Sequence, residues 1–159
     1  MTKNMNFKII SIGKKNPPEV EEFVEGYIER LKGQHNFSWV FAPSEALTSE
    51  DEKGKKKEAE KILSHIKEKS FVILFDEKGK RYTSETFSTL LQKTIENSFD
   101  EIVFIIGGAF GVSKEVKACA GEIISLSDFT FPHLLVRMVV VEQIYRAVSI
   151  LNGSKYHHR

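Results

Sequence analysis

Four stretches of this chain carry residues whose types and spacing exceed the needs of a packed core. The first is Gly107-Gly108-Ala109-Phe110-Gly111, directly after an apolar run and before a helical pattern. Ligands of α/β sheets bind beyond the carboxyl ends of the strands, and glycines there let a ligand approach the backbone. The same glycines also suit a plain tight turn. The dinucleotide fingerprint fails here, because Ala109 and Val112 stand where it needs glycines after Gly107, and no Gly-Lys-Ser/Thr ending marks a P-loop. The second stretch is Leu126-Ser127-Asp128-Phe129-Thr130-Phe131-Pro132-His133. Pro132 suits the first turn of a helix and Thr130 a cap; the aromatics and His133 are left over.

The third stretch is the final helical pattern, from about Leu134 to Leu151, apolar nearly all round and interrupted by Arg137, with Glu142, Gln143 and Arg146 following. A helix apolar on every side must be covered on every side, which points to a partner subunit or to a central position in the monomer. Arg137 then needs a carboxylate or phosphate partner, because an unpaired buried charge is costly. The fourth is the tail, Gly153-Ser154-Lys155-Tyr156-His157-His158-Arg159. Such an ending either frays or works. It is not read as a metal site, since Cys119 and His133 offer no ligand spacing with His157 and His158.

The elements that must position these residues alternate between two hydrophobic periods. Phe7–Ile12, Phe37–Phe41, Phe71–Phe75, Ile102–Ile106 and residues 122–126 read as strands. The unbroken runs at Phe71–Phe75 and Ile102–Ile106 are those of strands buried on both faces of a parallel sheet. Helical stripes fall at Val20–Leu31, Ala59–Ile66, Phe87–Ile95, residues 113–120 and the final segment. Asp76–Lys80 reads as a turn, and the polar stretch 44–58 hides the start of its helix. The lysines near 53–61 read as a solvated helix face. The pattern predicts one α/β domain over residues 1–159, with a mainly parallel sheet flanked by helices.

Length and charge narrow the field. A chain of 159 residues suits one core. Its single cysteine excludes an intrachain disulfide framework and suits a reducing compartment. No apolar run reaches membrane-helix length, and residues 1–5 carry no apolar stretch of a secretory signal, so a cytoplasmic location is expected. Lys+Arg is 23 against Asp+Glu 22, a net charge of +1. A non-specific coater of nucleic acid is normally far more basic.

In their order, these motifs resemble one family. Phe104-Ile105-Ile106-Gly107-Gly108-Ala109-Phe110-Gly111, then Ser125-Leu126-Ser127, Thr130-Phe131-Pro132-His133, Leu135-x-Arg137, Glu142-Gln143-Ile144-Tyr145-Arg146-Ala147 and a Tyr-His ending resemble the ribosomal RNA large subunit methyltransferase H family of the SPOUT superfamily. The likeness covers essentially the whole chain. Met5-Asn6-Phe7-Lys8 is similar to the family's usual start, which makes Met1–Asn4 an expected upstream extension.

The resemblance implies methyl transfer from S-adenosyl-L-methionine to N3 of a pseudouridine in large-subunit ribosomal RNA, on the assembled ribosome. It also implies a homodimer, a C-terminal trefoil knot, no membrane and no metal. By the same likeness the cofactor is held at Phe75, at Gly107, Gly108 and Gly111, and by the segment Leu126, Ser127, Asp128, Phe129, Thr130, Phe131 and Pro132. Substrate orientation and charge stabilisation fall to Arg137, Tyr156 and Arg159, with His157 or His133 as the base, and the tail is expected to reach the crevice of the other subunit. This chain departs from the family pattern in Lys155 where proline is usual, in the extra His158, and in Phe75 where leucine is expected. The alternatives are a SPOUT-type transfer-RNA methyltransferase, which usually needs extra RNA-binding length, and a catalytically idle ribosome-associated protein. From Asp128 onward four Lys/Arg face two Asp/Glu, so with a net of only +1 the expected RNA contact is local and depends on shape.

Overall fold

The computed structural model describes residues 3–158. Five parallel strands form one sheet in the order β2-β1-β4-β3-β5: β1 (Asn6–Ile12), β2 (Asn36–Ala42), β3 (Ser70–Arg81), β4 (Glu101–Ile106) and β5 (Glu122–Ser125). Every residue of β4 is buried, as its central place and unbroken apolar run require. Helices α1 (Pro18–Leu31), α3 (Ser84–Glu96) and α5 (His133–Leu151) cover one face; α2 (Glu52–Leu63) and α4 (Lys114–Cys119) cover the other. The single α/β domain expected from the alternating periods is present.

Two elements differ from the sequence reading. Asp76–Lys80 does not end β3. Both Phe75 and Lys80 register with Ile124, so residues 76–79 bulge out and pairing with β5 resumes. The Asp76 carboxylate accepts the Lys78 amide at 2.9 Å, and a Cβ at Gly79 would lie 2.7 Å from the backbone of Ile123 and Ile124. Helix α2 begins seven residues before its first apolar stripe position, Ala59. Asp51 caps it by accepting from the Gly54 amide at 2.9 Å, and buried Glu58 accepts the amides of Glu45 and Ala46, each at 2.8 Å.

Buried His35 adds a pH dependence to the fold. Its Nδ1 accepts the Met5 amide at 3.1 Å, its ring packs 4.8 Å from that of Phe7, and burial pushes its pKa below the ordinary value. The unfolded chain therefore takes up the proton first, so this stability is complete above about pH 6.5 and is lost as pH falls below it. His65 and His133 are shifted down as well, both by burial first. The expected result is a lower thermal midpoint at about pH 5.5 than at about pH 7.5; equal midpoints by circular dichroism would contradict it.

Candidate functional site

Register brings three strand ends together. Phe75 stands beside Ile106 on one side and Ile124 on the other, so the start of the β3 bulge, the end of β4 before Gly107 and the Ser125–Leu126 junction lie along the same side of the sheet. The loop after β4 is tight: Gly108 and Gly111 form an antiparallel bridge, and Gly111 has φ +79°. A Cβ at Gly107 would stand 2.9 Å from Val112 Cγ1, and one at Gly108 3.1 Å from Ile12 Cγ2. A side chain at Gly107 would displace Val112 and one at Gly108 would crowd Ile12, so the chain's own packing, as a tight turn, already favours glycine here.

The segment from Leu126 to Pro132 is held by few internal bonds. Ser127 Oγ accepts the Phe129 amide at 3.0 Å, Ser125 Oγ donates to the Ser127 carbonyl at 3.1 Å, and Asp128 pairs with Arg81 at 2.5 Å. Phe129 is 81% exposed. Among the described residues, the amides of Ser127, Asp128, Thr130 and Phe131 and of Ala109 and Phe110 donate to no protein acceptor. Accessible main-chain donors left free by the protein in the loops after β4 and β5 can hold a ligand through backbone, and an adenosyl and amino-acid moiety suits such donors. Thr130 does not cap α5. Pro132 holds the N-cap position with no side-chain bond, and its fixed extended backbone leads straight into His133.

Helix α5 lies between α1 and α3 and over β4, so much of its apolar girdle is satisfied inside the chain. Leu135 remains 37% exposed. Arg137 is fully buried and meets neutral oxygens in place of the expected carboxylate or phosphate. Its guanidinium donates to the carbonyls of Lys14 (2.8 Å) and Ile12 (3.3 Å) and to Asn16 Oδ1 (2.9 Å). Its Nε has no partner, and burial lowers its pKa. Neutral oxygen dipoles from Ile12, Lys14 and Asn16 serve the planar guanidinium fork. His133, one turn before it, makes no hydrogen bond among the described residues and is held below its usual pKa by burial and then by Arg137.

The tail is docked rather than frayed. Tyr156 Oη donates to Glu142 Oε1 at 3.1 Å and contacts Tyr27 Oη at 3.2 Å. Burial, then the bonds to Tyr27 and Glu142, push its pKa up, so it is a neutral donor at pH 7. His157 is held between Arg146 (Nδ1, 3.1 Å) and Glu85 (Nε2, 3.2 Å). Arg146 also binds Glu142 Oε1 at 2.5 Å and lies over the Tyr156 ring at 4.8 Å. Glu142, Arg146, Glu85 and Tyr27, which the sequence reading did not assign, are the residues that hold the tail; the signal for two of them was Glu142 and Arg146 at helical i,i+4 spacing. Arg159 lies outside the described residues. The structure groups His133 with Arg137, and Tyr156 with His157, but thirteen residues of helix, about 20 Å, separate His133 from Arg146.

Among the described residues no group of His, Cys, Asp and Glu could hold a metal ion, and no helix is long and apolar enough to cross a membrane. Over residues 5–157 the chain matches the family model described as "Predicted SPOUT methyltransferase". It is 40% identical to the Ribosomal RNA large subunit methyltransferase H of Christiangramia forsetii, over 98% of this chain and 100% of that protein. The proteins of that name from Caldicellulosiruptor bescii (42%, over 94% of this chain and 98% of theirs) and Streptococcus mutans (37%, 96% and 99%) are similar over the same extent. With three parallel strand ends meeting at a glycine loop and the likeness running end to end, the chain belongs to the SPOUT methyltransferase family, whose C-terminal knot comes with that membership.

Proposed function

We propose that this protein methylates N3 of a pseudouridine in large-subunit ribosomal RNA, on the assembled ribosome, with S-adenosyl-L-methionine as the methyl donor. The observation that carries this reading is the end-to-end similarity to relatives that bear the ribosomal RNA methyltransferase name, joined to accessible backbone donors with no protein acceptor in the loops after β4 and β5. The bound cofactor supplies an electrophilic methyl group on a sulfonium. Phe75, the Gly107–Gly111 loop and residues 126–132 hold and orient it, since an in-line displacement gains most from positioning.

The N3 proton must leave as the N–C bond forms. His133 is the base this geometry favours over His157: its ring is free, and its lowered pKa keeps it neutral at pH 7. Tyr156 and His157, fixed by Glu142, Arg146 and Glu85, orient the base and stabilise its developing negative charge, with Arg159 continuing the tail. Arg137 acts as a positioning residue. It ties Ile12–Asn16 to α5, and Ile12 abuts Gly108.

The working form in this reading is a homodimer in the cytoplasm. The half-open apolar side of α5 near Leu135, with exposed Phe129 and Phe110, is the surface a second copy covers. The tail cluster of one subunit then completes the strand-end crevice of the other. The test is in vitro methylation of ribosomes from cells lacking this protein, followed by mass mapping of the large-subunit RNA. One added methyl group on a pseudouridine is expected, and ribosomes left unmodified would refute the reading.

A further inference from the structure

The net charge of +1 conceals two helical layers of opposite sign. On α1, Glu19, Glu21, Glu22, Glu25 and Glu29 face a single Arg30. On the other side of the sheet, α2 carries Lys53, Lys55, Lys56, Lys57 and Lys61 against three glutamates, of which Glu58 is buried and engaged with backbone. Lys53, Lys57 and Lys61 stand at i, i+4 and i+8, all exposed. Among the described residues none of the three forms an ion pair. A like-charge row of this spacing destabilises its own helix by a few tenths of a kcal/mol per pair.

The basic surface does not end with α2. Lys56 and Lys114 both act on Glu115 of α4, which joins the two helices electrostatically. Beyond α4 lies an open depression of about 440 Å³ at the β3 bulge, lined by Lys78, Lys80 and Lys117 together with Asp76 and Glu122, and floored by Gly79 and Gly121; the Asp76 carboxylate is engaged by the Lys78 amide and that of Glu122 by the Tyr82 hydroxyl. The strip is rigid where it matters, because Asp51 and Glu58 pin α2 to the preceding loop. A solvated face needs no such sidedness, with the acidic α1 on one side of the sheet and the lysine row of α2 on the other.

We infer that the α2–α4 layer, from Lys53 to the groove at Lys78 and Lys117, is a docking surface for the phosphate backbone of ribosomal RNA. The inference rests on the ribosomal reading above and adds where the particle is gripped: on the opposite side of the sheet from α5 and the tail. Phosphate is the complement of an unpaired lysine row, and contact is read out as counterion release, with a salt slope of about 0.7–0.9 per phosphate neutralised.

The test is the triple variant K53Q/K57Q/K61Q, since glutamine keeps helix propensity and removes only charge. Methylation of ribosomes and co-sedimentation with ribosomes are each followed against salt. The expected result is a KM and an apparent Kd raised about tenfold, an unchanged kcat, and a log–log salt slope reduced by about 2. Neutralising Glu19, Glu22 and Glu25 on α1 should leave KM within twofold. An unchanged KM and Kd for the lysine variant, or a raised KM with an unchanged salt slope, overturns the docking surface. If wild-type protein fails to methylate, the functional reading fails, while co-sedimentation still decides the lysines.

Discussion

Replacing Arg137 with alanine is expected to destabilise the protein by about 3–5 kcal/mol. Three oxygens lose their donor together: the carbonyls of Ile12 and Lys14 and the side-chain amide oxygen of Asn16. The Ile12 carbonyl is buried, and orphaning it costs roughly 1–3 kcal/mol; the part-buried bonds to Lys14 and Asn16 add less, and emptying the volume of a fully buried side chain adds a cavity cost of about 2–4 kcal/mol. For a domain of this size each kcal/mol moves the thermal midpoint by about 2–4 °C, so a drop of roughly 10 °C or more should be seen by calorimetry. Arg137→Lys keeps the charge but cannot reproduce the fork and should fall between the two. Cofactor affinity should drop with stability, because Ile12 supports Gly108. A midpoint within about 2 °C of wild type would show that the loop is held by something else.

Arg146→Ala should spare the cofactor and damage the reaction. Arg146 holds Glu142 through two nitrogens, reaches His157 Nδ1 and covers the Tyr156 ring. Its guanidinium is tuned for this, since the bond to Glu142 raises its pKa. Without it part-buried Glu142 loses its cationic partner and keeps only the neutral donors Tyr156 and Gln143, while His157 retains Glu85 alone. Removing one preorganised donor from a reacting centre typically costs about 10²–10³ in rate, and a loss of that order is expected in kcat/KM for ribosomes. S-adenosylmethionine binding by calorimetric titration should stay within about twofold, because Arg146 makes its hydrogen bonds to Glu142 and His157 and none to Phe75, the Gly107–Gly111 loop or residues 126–132. His157→Ala, which removes one spoke of the cluster, should change turnover in the same direction by less. Turnover within threefold of wild type for Arg146→Ala would leave the cluster structural only.

The strands were legible because their apolar runs are uninterrupted: Phe71–Phe75 and Ile102–Ile106 lie within β3 and β4. The start of α2 was not legible, since only Gly54, Glu58, Ala59 and Ile62 of that helix are buried and two of these four carry no apolar signal. Residues 76–80 looked like a turn because a bulge and a turn share their residue types; only the second strand edge, β5, tells them apart. In the candidate site, the glycine loop and Leu126–Pro132 stood out through local spacing. Glu142 and Arg146 did not, because their meaning comes from Tyr156 and His157 folding back across α5. Arg137 was legible as a buried charge, but its neutral partners lie more than 120 residues away in the chain.

That last separation has a consequence for the birth of the molecule. The loop that Arg137 fastens is made among the first residues and its clamp among the last, so the bond between Lys14 and Arg137 spans 123 positions. Folding slows as contacts lengthen in sequence, and a nascent chain on the ribosome must wait for α5 before its first loop can close. The half-made protein has strands β1–β4 but neither α5 nor the tail. A chain that has not yet reached α5 therefore holds neither the Arg137 clamp on Ile12 and Lys14 nor the cluster around Tyr156 and His157.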